Sequence, residues 1–177
     1  MTQTLPDPSR DRKIVERLIN FLAGGARTTR KITAEDHQQT MPLDTAKLTP
    51  AESSNLMEPT FFPDGASLLL RIGGNKIVVG ALKNDVLLGR FSKESPEVDN
   101  VQRINLAYYS GYRTGISRVH ALIRRTANNT VNLIDMDSVN GTFVNEERLE
   151  PFKAHPLKDG DLVRLAYLNI KVYFLVP

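Results

Sequence analysis

From Ala66 onward the apolar residues fall in short runs: SLLLRI, KIVVGAL, DVLLGRF, RINLAYY, VHALIRR, VNLIDM, GTFV, DLVRLAY and IKVYFLV. These runs are rich in Val, Ile, Leu and Tyr, residue types that suit a pleated, half-buried surface. Gly, Asn and Asp punctuate them at positions 73–75, 127–129, 137–141 and 158–160. Many short strands with such turn signals predict an all-β architecture, an antiparallel sandwich or barrel. Several runs are apolar on both parities, which suits central strands more than an exposed sheet. No helical pattern of any length follows residue 66, and no internal repeat is evident.

The first 65 residues have a different texture. Over Asp11–Ala23, Ile14, Leu18, Phe21 and Leu22 recur at helical spacing, and Gly24-Gly25 closes the pattern. This predicts one short amphipathic helix over about 11–23. Ala26–Asp64 mixes Thr, Pro, Ser and Glu without sustained period and reads as a flexible, Thr-rich linker. The expected division is an arm over 1–65 and a β domain over 66–177.

Composition narrows the chemistry. The chain has 177 residues, 41% hydrophobic and 24% charged, an ordinary globular balance. Lys and Arg exceed Asp and Glu by only three, too little to argue for a nucleic-acid or membrane partner. Cysteine is absent, which excludes disulfides, thiol catalysis and Cys-ligated metal. The three histidines, His37, His120 and His155, are too dispersed for a zinc motif. No metal and no cofactor is expected. The opening MTQTLPDPSRDRK lacks the apolar core of a signal peptide, and no run approaches a membrane span. A cytoplasmic location is the expectation.

Three loop features stand out: Gly89-Arg90 ending DVLLGR, Ser117-Arg118-Val119-His120 before ALIRR, and Asp137-Ser138-Val139-Asn140-Gly141-Thr142 before FVN. Leu157-Lys158-Asp159-Gly160-Asp161 follows. Alone, each has a plain explanation: Arg90 as a solvated edge charge, Asn140-Gly141 as a hairpin turn, His120 as a satisfied core histidine. Together, in the order GR, SRxH, NGTxVN and LxDGDxxxL over roughly 67–176, the chain resembles a forkhead-associated (FHA) domain. The resemblance implies an antiparallel β-sandwich of about 10–11 strands that binds phosphothreonine peptides.

On that resemblance Arg90 and Ser117 contact the phosphate, with Arg118 assisting, and Asn140 grips the peptide backbone. His120 braces the serine-bearing loop, and Gly89 and Gly141 support the site. The residue types suit the task. Arginine gives paired charge-assisted N–H bonds to a phosphate, and a side-chain amide both donates and accepts. Val139 stands where many relatives carry Thr or Ser, and is expected to contribute an apolar niche for the threonine methyl. Glu146 and Ala166 replace turn glycines, so only structural adjustment is expected there. Between Arg90 and Ser117 lie 26 residues, including Tyr108, Tyr109, Tyr112 and Arg113. These could wall a peptide groove or pack on the sandwich rim.

The expected function is that of a non-catalytic signalling adaptor downstream of a Ser/Thr kinase, with phosphothreonine proteins as partners. Thr40 and Thr45, each followed three residues later by leucine (Leu43, Leu48), are candidate phosphosites through which the arm would occupy its own domain. The alternative is a basic β-sandwich binding nucleic acid. Against it, no Lys/Arg run exceeds two and the aromatics are not interleaved with cations. A Ser117–His120 hydrolase lacks a nucleophile elbow and an identifiable acidic third member.

Overall fold

The structure, a computed structural model, describes residues 16–23, 60–92, 95, 97–109 and 113–177. Among these residues eleven strands form two sheets. The first sheet runs in the order β2-β1-β11-β10-β7-β8, built from β1 (Ser67–Ile72), β2 (Asn75–Val79), β7 (Thr142–Val144), β8 (Glu147–Arg148), β10 (Leu162–Leu165) and β11 (Leu168–Leu175). The second runs β4-β3-β5-β6-β9, from β3 (Asp85–Gly89), β4 (Val101–Asn105), β5 (Ala121–Arg125), β6 (Val131–Asp135) and β9 (Ala154–Pro156).

Alternation decides which side chains meet between the sheets. Leu68, Leu70, Ile72, Val163, Leu165, Ile170 and Val172 from the first sheet pack on Val86, Leu88, Ala121, Ile123, Val131 and Leu133 from the second. The core reaches back to Phe62, which is fully buried and meets Phe174 edge-on at 5.1 Å, and Phe61 bridges Thr130.

All strand pairs are antiparallel except β3 and β4, which run parallel from Asp85↔Val101 to Gly89↔Asn105. A parallel neighbour needs a crossover. Part of the long interval after Arg90 serves this purpose, and a 3-10 turn over Leu106–Tyr109 follows β4.

Of the described residues before 66, 60–65 lead into the sandwich. The expected linker over Ala26–Asp64 therefore stops short of Phe61 and Phe62, which the strand bridge and the core hold. Residues 16–23 form a helix, here α1. It lies on the outer face of the second sheet, where Leu18 is fully buried against Leu87, Leu122, Ile134 and Met136. Phe21 and Leu22 flank it, and Arg124 stacks on the Phe21 ring at 5.3 Å. This cover explains why β3 and β5 are apolar on both parities: one set of side chains faces the core and the other faces α1. Burying a leucine contributes roughly 1.5–3 kcal/mol. The expected helix residues 11–15, Gly24-Gly25 and the linker threonines, Thr40 and Thr45 among them, lie outside the described residues.

Candidate functional site

Three loops meet at one end of the sandwich, and backbone bonds set their spacing. The Arg90 N–H donates to the Ser117 carbonyl at 3.0 Å, and Arg90 Nε donates to the Ile116 carbonyl at 3.3 Å. The strand end after β3 is thereby tied to the loop before β5. Gly89 lies where a Cβ would overlap the Arg118 carbonyl, so only glycine admits this approach. The third loop, between β6 and β7, joins through side chains. The Val139 N–H donates to Ser117 Oγ at 3.1 Å, and Asn140 Nδ2 donates to the Gly115 carbonyl at 2.8 Å. A hydroxyl that accepts one bond keeps its own hydrogen to donate.

Beneath the loops sits His120, fully buried. Its Nδ1 accepts the Ser117 N–H at 3.0 Å, which fixes the neutral tautomer with the proton on Nε2. Nε2 then donates to the Gly141 carbonyl at 3.2 Å. Burial pushes the imidazole pKa below its usual value, against the opposing pull of the Gly141 carbonyl and Asp135. One ring thus spaces the serine loop from the asparagine loop. Gly141 has φ of 81°, and its carbonyl also accepts the Ala166 N–H at 2.9 Å.

The structure brings Arg90, Ser117, Arg118, Val139 and Asn140 into one cluster of loops, with Gly89, His120 and Gly141 under it. Arg90, Ser117 and Arg118 are half-buried, whereas Val139 is 72% exposed and Asn140 is exposed. The tyrosine-rich stretch after β4 divides. Tyr109 packs on the core, Tyr108 is 85% exposed, Arg113 is exposed, and Tyr112 lies outside the described residues. Asp159-Gly160-Asp161 is a turn in which Asp161 accepts from the Lys158 N–H and from Asn145 Nδ2. Glu146 and Ala166 both take positive φ, 71° and 53°, in tight hairpin turns.

Three supports of the site carry no motif along the chain. Gly115, with φ of 69°, leaves room for the Asn140 amide; a Cβ there would stand 2.5 Å from Nδ2. Asp135 is buried and its carboxylate accepts from Ser138 Oγ at 2.6 Å and Thr142 Oγ1 at 2.5 Å, holding both ends of the asparagine loop. The signal was an acid closing an apolar strand, with hydroxyls three and seven residues on. The third is Tyr167, 73% exposed at the β10–β11 turn, whose N–H donates to the Thr114 carbonyl at 3.1 Å. Among the described residues no group of His and carboxylates is arranged to hold a metal ion, and no helix is long and apolar enough to cross a membrane.

Residues 86–166 match the family described as FHA domain. Among curated proteins, the E3 ubiquitin-protein ligase rnf8-B of Xenopus laevis is 44% identical over 50 residues, 28% of this chain and 9% of that ligase. The E3 ubiquitin-protein ligase RNF8 of Bos taurus is 38% identical over 50 residues, 28% of this chain and 10% of its own. The chain therefore matches about a tenth of the length of these relatives. Among solved structures, an FHA domain studied for phosphothreonine-dependent interactions is 27% identical, covering 63% of this chain and 98% of that one, with a TM-score of 0.45. The FHA domain of a hypothetical protein of Arabidopsis thaliana is 24% identical, covering 65% and 93%, with a TM-score of 0.47.

Proposed function

We propose that this chain, a member of the FHA-domain family, reads phosphothreonine in its partners through Arg90, Ser117 and Asn140. The observation that carries the reading is the meeting of the three loops that bear these side chains, through the Arg90–Ile116, Ser117–Val139 and Asn140–Gly115 bonds. A phosphate dianion asks for a cation with forked donors and for short hydroxyl or amide donors. Arg90 supplies the first, Ser117 Oγ and the neighbouring Arg118 add to it, and Asn140 holds the peptide backbone alongside. Val139, exposed above the serine, offers an apolar surface to the threonine methyl.

The module acts by binding, without chemistry of its own, as an adaptor in the cytoplasm downstream of a Ser/Thr kinase. The β domain over 66–177 is the reader and the arm over 1–65 its regulated appendage, with Thr40 and Thr45 as the residues a kinase would modify. The deciding experiment is a titration of a phosphothreonine peptide against its unphosphorylated twin. Binding of the first alone supports the reading; equal binding of both, or of neither, overturns it.

A further inference from the structure

We propose that the outer face of the six-stranded sheet is a docking surface for an acidic segment of the same phosphorylated partner. The proposal rests on the phosphothreonine reading for its partner and on separate residues for its evidence. In β1, Leu68, Leu70 and Ile72 point into the core, so Leu69 and Arg71 point out. Register then aligns the outward residues of neighbouring strands. Arg71 pairs with Lys76 of β2 on one side and with Lys171 of β11 on the other. Three cations thus stand directly opposite one another, an arrangement that destabilises a sheet. Among the described residues no carboxylate forms an ion pair with any of the three.

The next outward row continues the charge toward the loops. Arg164 pairs in register with Asn169 and Phe143, and its guanidinium lies 3.7 Å over the Phe143 ring. Arg148 sits 5.9 Å from the same ring and reaches Gly141, where a Cβ would stand 2.9 Å from its Nε. Glu146, 3.4 Å from Arg164, is the one carboxylate paired with this band among the described residues. The band therefore starts beside Asn140 and ends at the far edge strand. Within it lies a shallow depression of about 330 Å³ lined by Arg71, Gly73, Leu162, Asn169, Lys171 and Tyr173.

Charge complementarity names the occupant. Six strands at about 4.8 Å spacing make a band about 24 Å wide, which an extended chain crosses in about seven residues. Contiguity with the loop that carries Asn140 favours a peptide held at both places. A nucleic acid would want a row of open stacking rings; the depression offers Tyr173, and the Phe143 ring of the band is already covered by Arg164. The opposite sheet has its outer face covered by α1, whereas among the described residues no element packs over the band.

The test uses the full chain and phosphothreonine peptides of one motif, carrying a seven-residue Asp/Glu tail or a Ser/Asn tail, on either side of the phosphothreonine. At about 50 mM salt the acidic tail, in one of its two placements, is expected to tighten binding about tenfold, and the gain is expected to fade near 0.5 M. Arg71→Glu should abolish that gain, leave the neutral-tail peptide unaffected, and raise the melting temperature, because the substituted carboxylate would face Lys76 and Lys171. Equal affinities for both tails, or a gain that survives in R71E, overturns the proposal. If neither phosphopeptide binds but the unphosphorylated acidic peptide does, and R71E removes that binding, the loop reading falls and the docking surface stands. A single-stranded oligonucleotide bound through Arg71 more tightly than the acidic peptide would overturn the assignment to a protein partner.

Discussion

Asn140 Nδ2 stands 2.8 Å from the Gly115 carbonyl, and the space beside it is closed to any side chain at 115. The amide is thus aimed by a neighbouring loop before any ligand arrives. Gly115→Ala should weaken phosphopeptide binding about tenfold, equal to about 1.4 kcal/mol. Combined with Asn140→Ala it should cost little more than Asn140→Ala alone, because both act on one amide. Isothermal titration of the two single variants and the double closes this cycle; full additivity would show that Gly115 does not act through Asn140.

Arg90→Ala and Ser117→Ala each remove one donor to the proposed phosphate. Losing a charge-assisted hydrogen bond costs about 1.5–3 kcal/mol, a ten- to hundredfold loss in affinity. Thermal melts should show both variants folded. A folded Arg90→Ala protein with undiminished affinity sinks the assignment of the phosphate pocket.

His120 should reveal itself in stability. Its folded pKa is lowered, so the folded state binds fewer protons there than the unfolded chain. The stability contributed by the neutral ring is therefore complete above about pH 6.5 and is lost as pH falls through the lowered value. Protonation also removes the Nδ1 acceptor for Ser117 N–H. Melts between pH 8 and pH 5, in wild type and His120→Gln, should show a steeper acid decline in wild type and a lower melting temperature in the variant at pH 8.

Leu18 and Arg17 hold α1 by unequal means. Leu18→Ala should destabilise by about 2–5 kcal/mol, as for other buried leucines, with hydrogen exchange rising across 16–23. Arg17 pairs with Asp137 at 2.6 Å, but both side chains are about half exposed. Arg17→Ala should therefore cost less than about 1 kcal/mol. An Arg17 effect larger than that of Leu18 would reverse this ranking.

Phosphorylating Thr40 or Thr45 should lower affinity for an external phosphothreonine peptide. The modification adds about −1.5 to −2 charge and three acceptors, and a tethered ligand competes at roughly millimolar effective concentration. After the modified site is confirmed by mass spectrometry, an unchanged affinity would remove the arm as an internal competitor.

Much of this molecule is legible along the chain because strand alternation and turn residues are local signals. The runs VNLID and DVLLG announce β6 and β3. Apolarity on both parities reads as a central strand, which holds for β1 and β11 but not for IVV, whose β2 is an edge strand. It does not foretell that α1 covers the outer side of β3 and β5. Arg90, Ser117 and Asn140 could be singled out because their neighbours form a recognisable order. Gly115 and Asp135 escaped because their roles exist only across loops: one clears space for a residue 25 positions away, the other gathers hydroxyls into a buried carboxylate. The parallel pairing of β3 and β4 was equally silent, since strand direction depends on the path of the connection and not on composition.

The aligned cations Lys76, Arg71 and Lys171 also set how the molecule answers to its solvent. Mutual repulsion within the folded sheet is relieved by counterions, so added salt should help this face where it would weaken a surface held by opposite charges. Anything anionic that settles there relieves the same repulsion and stabilises the fold by mass action. The folded protein is then its own gauge of occupancy, and its unfolding temperature registers an arriving partner without any label.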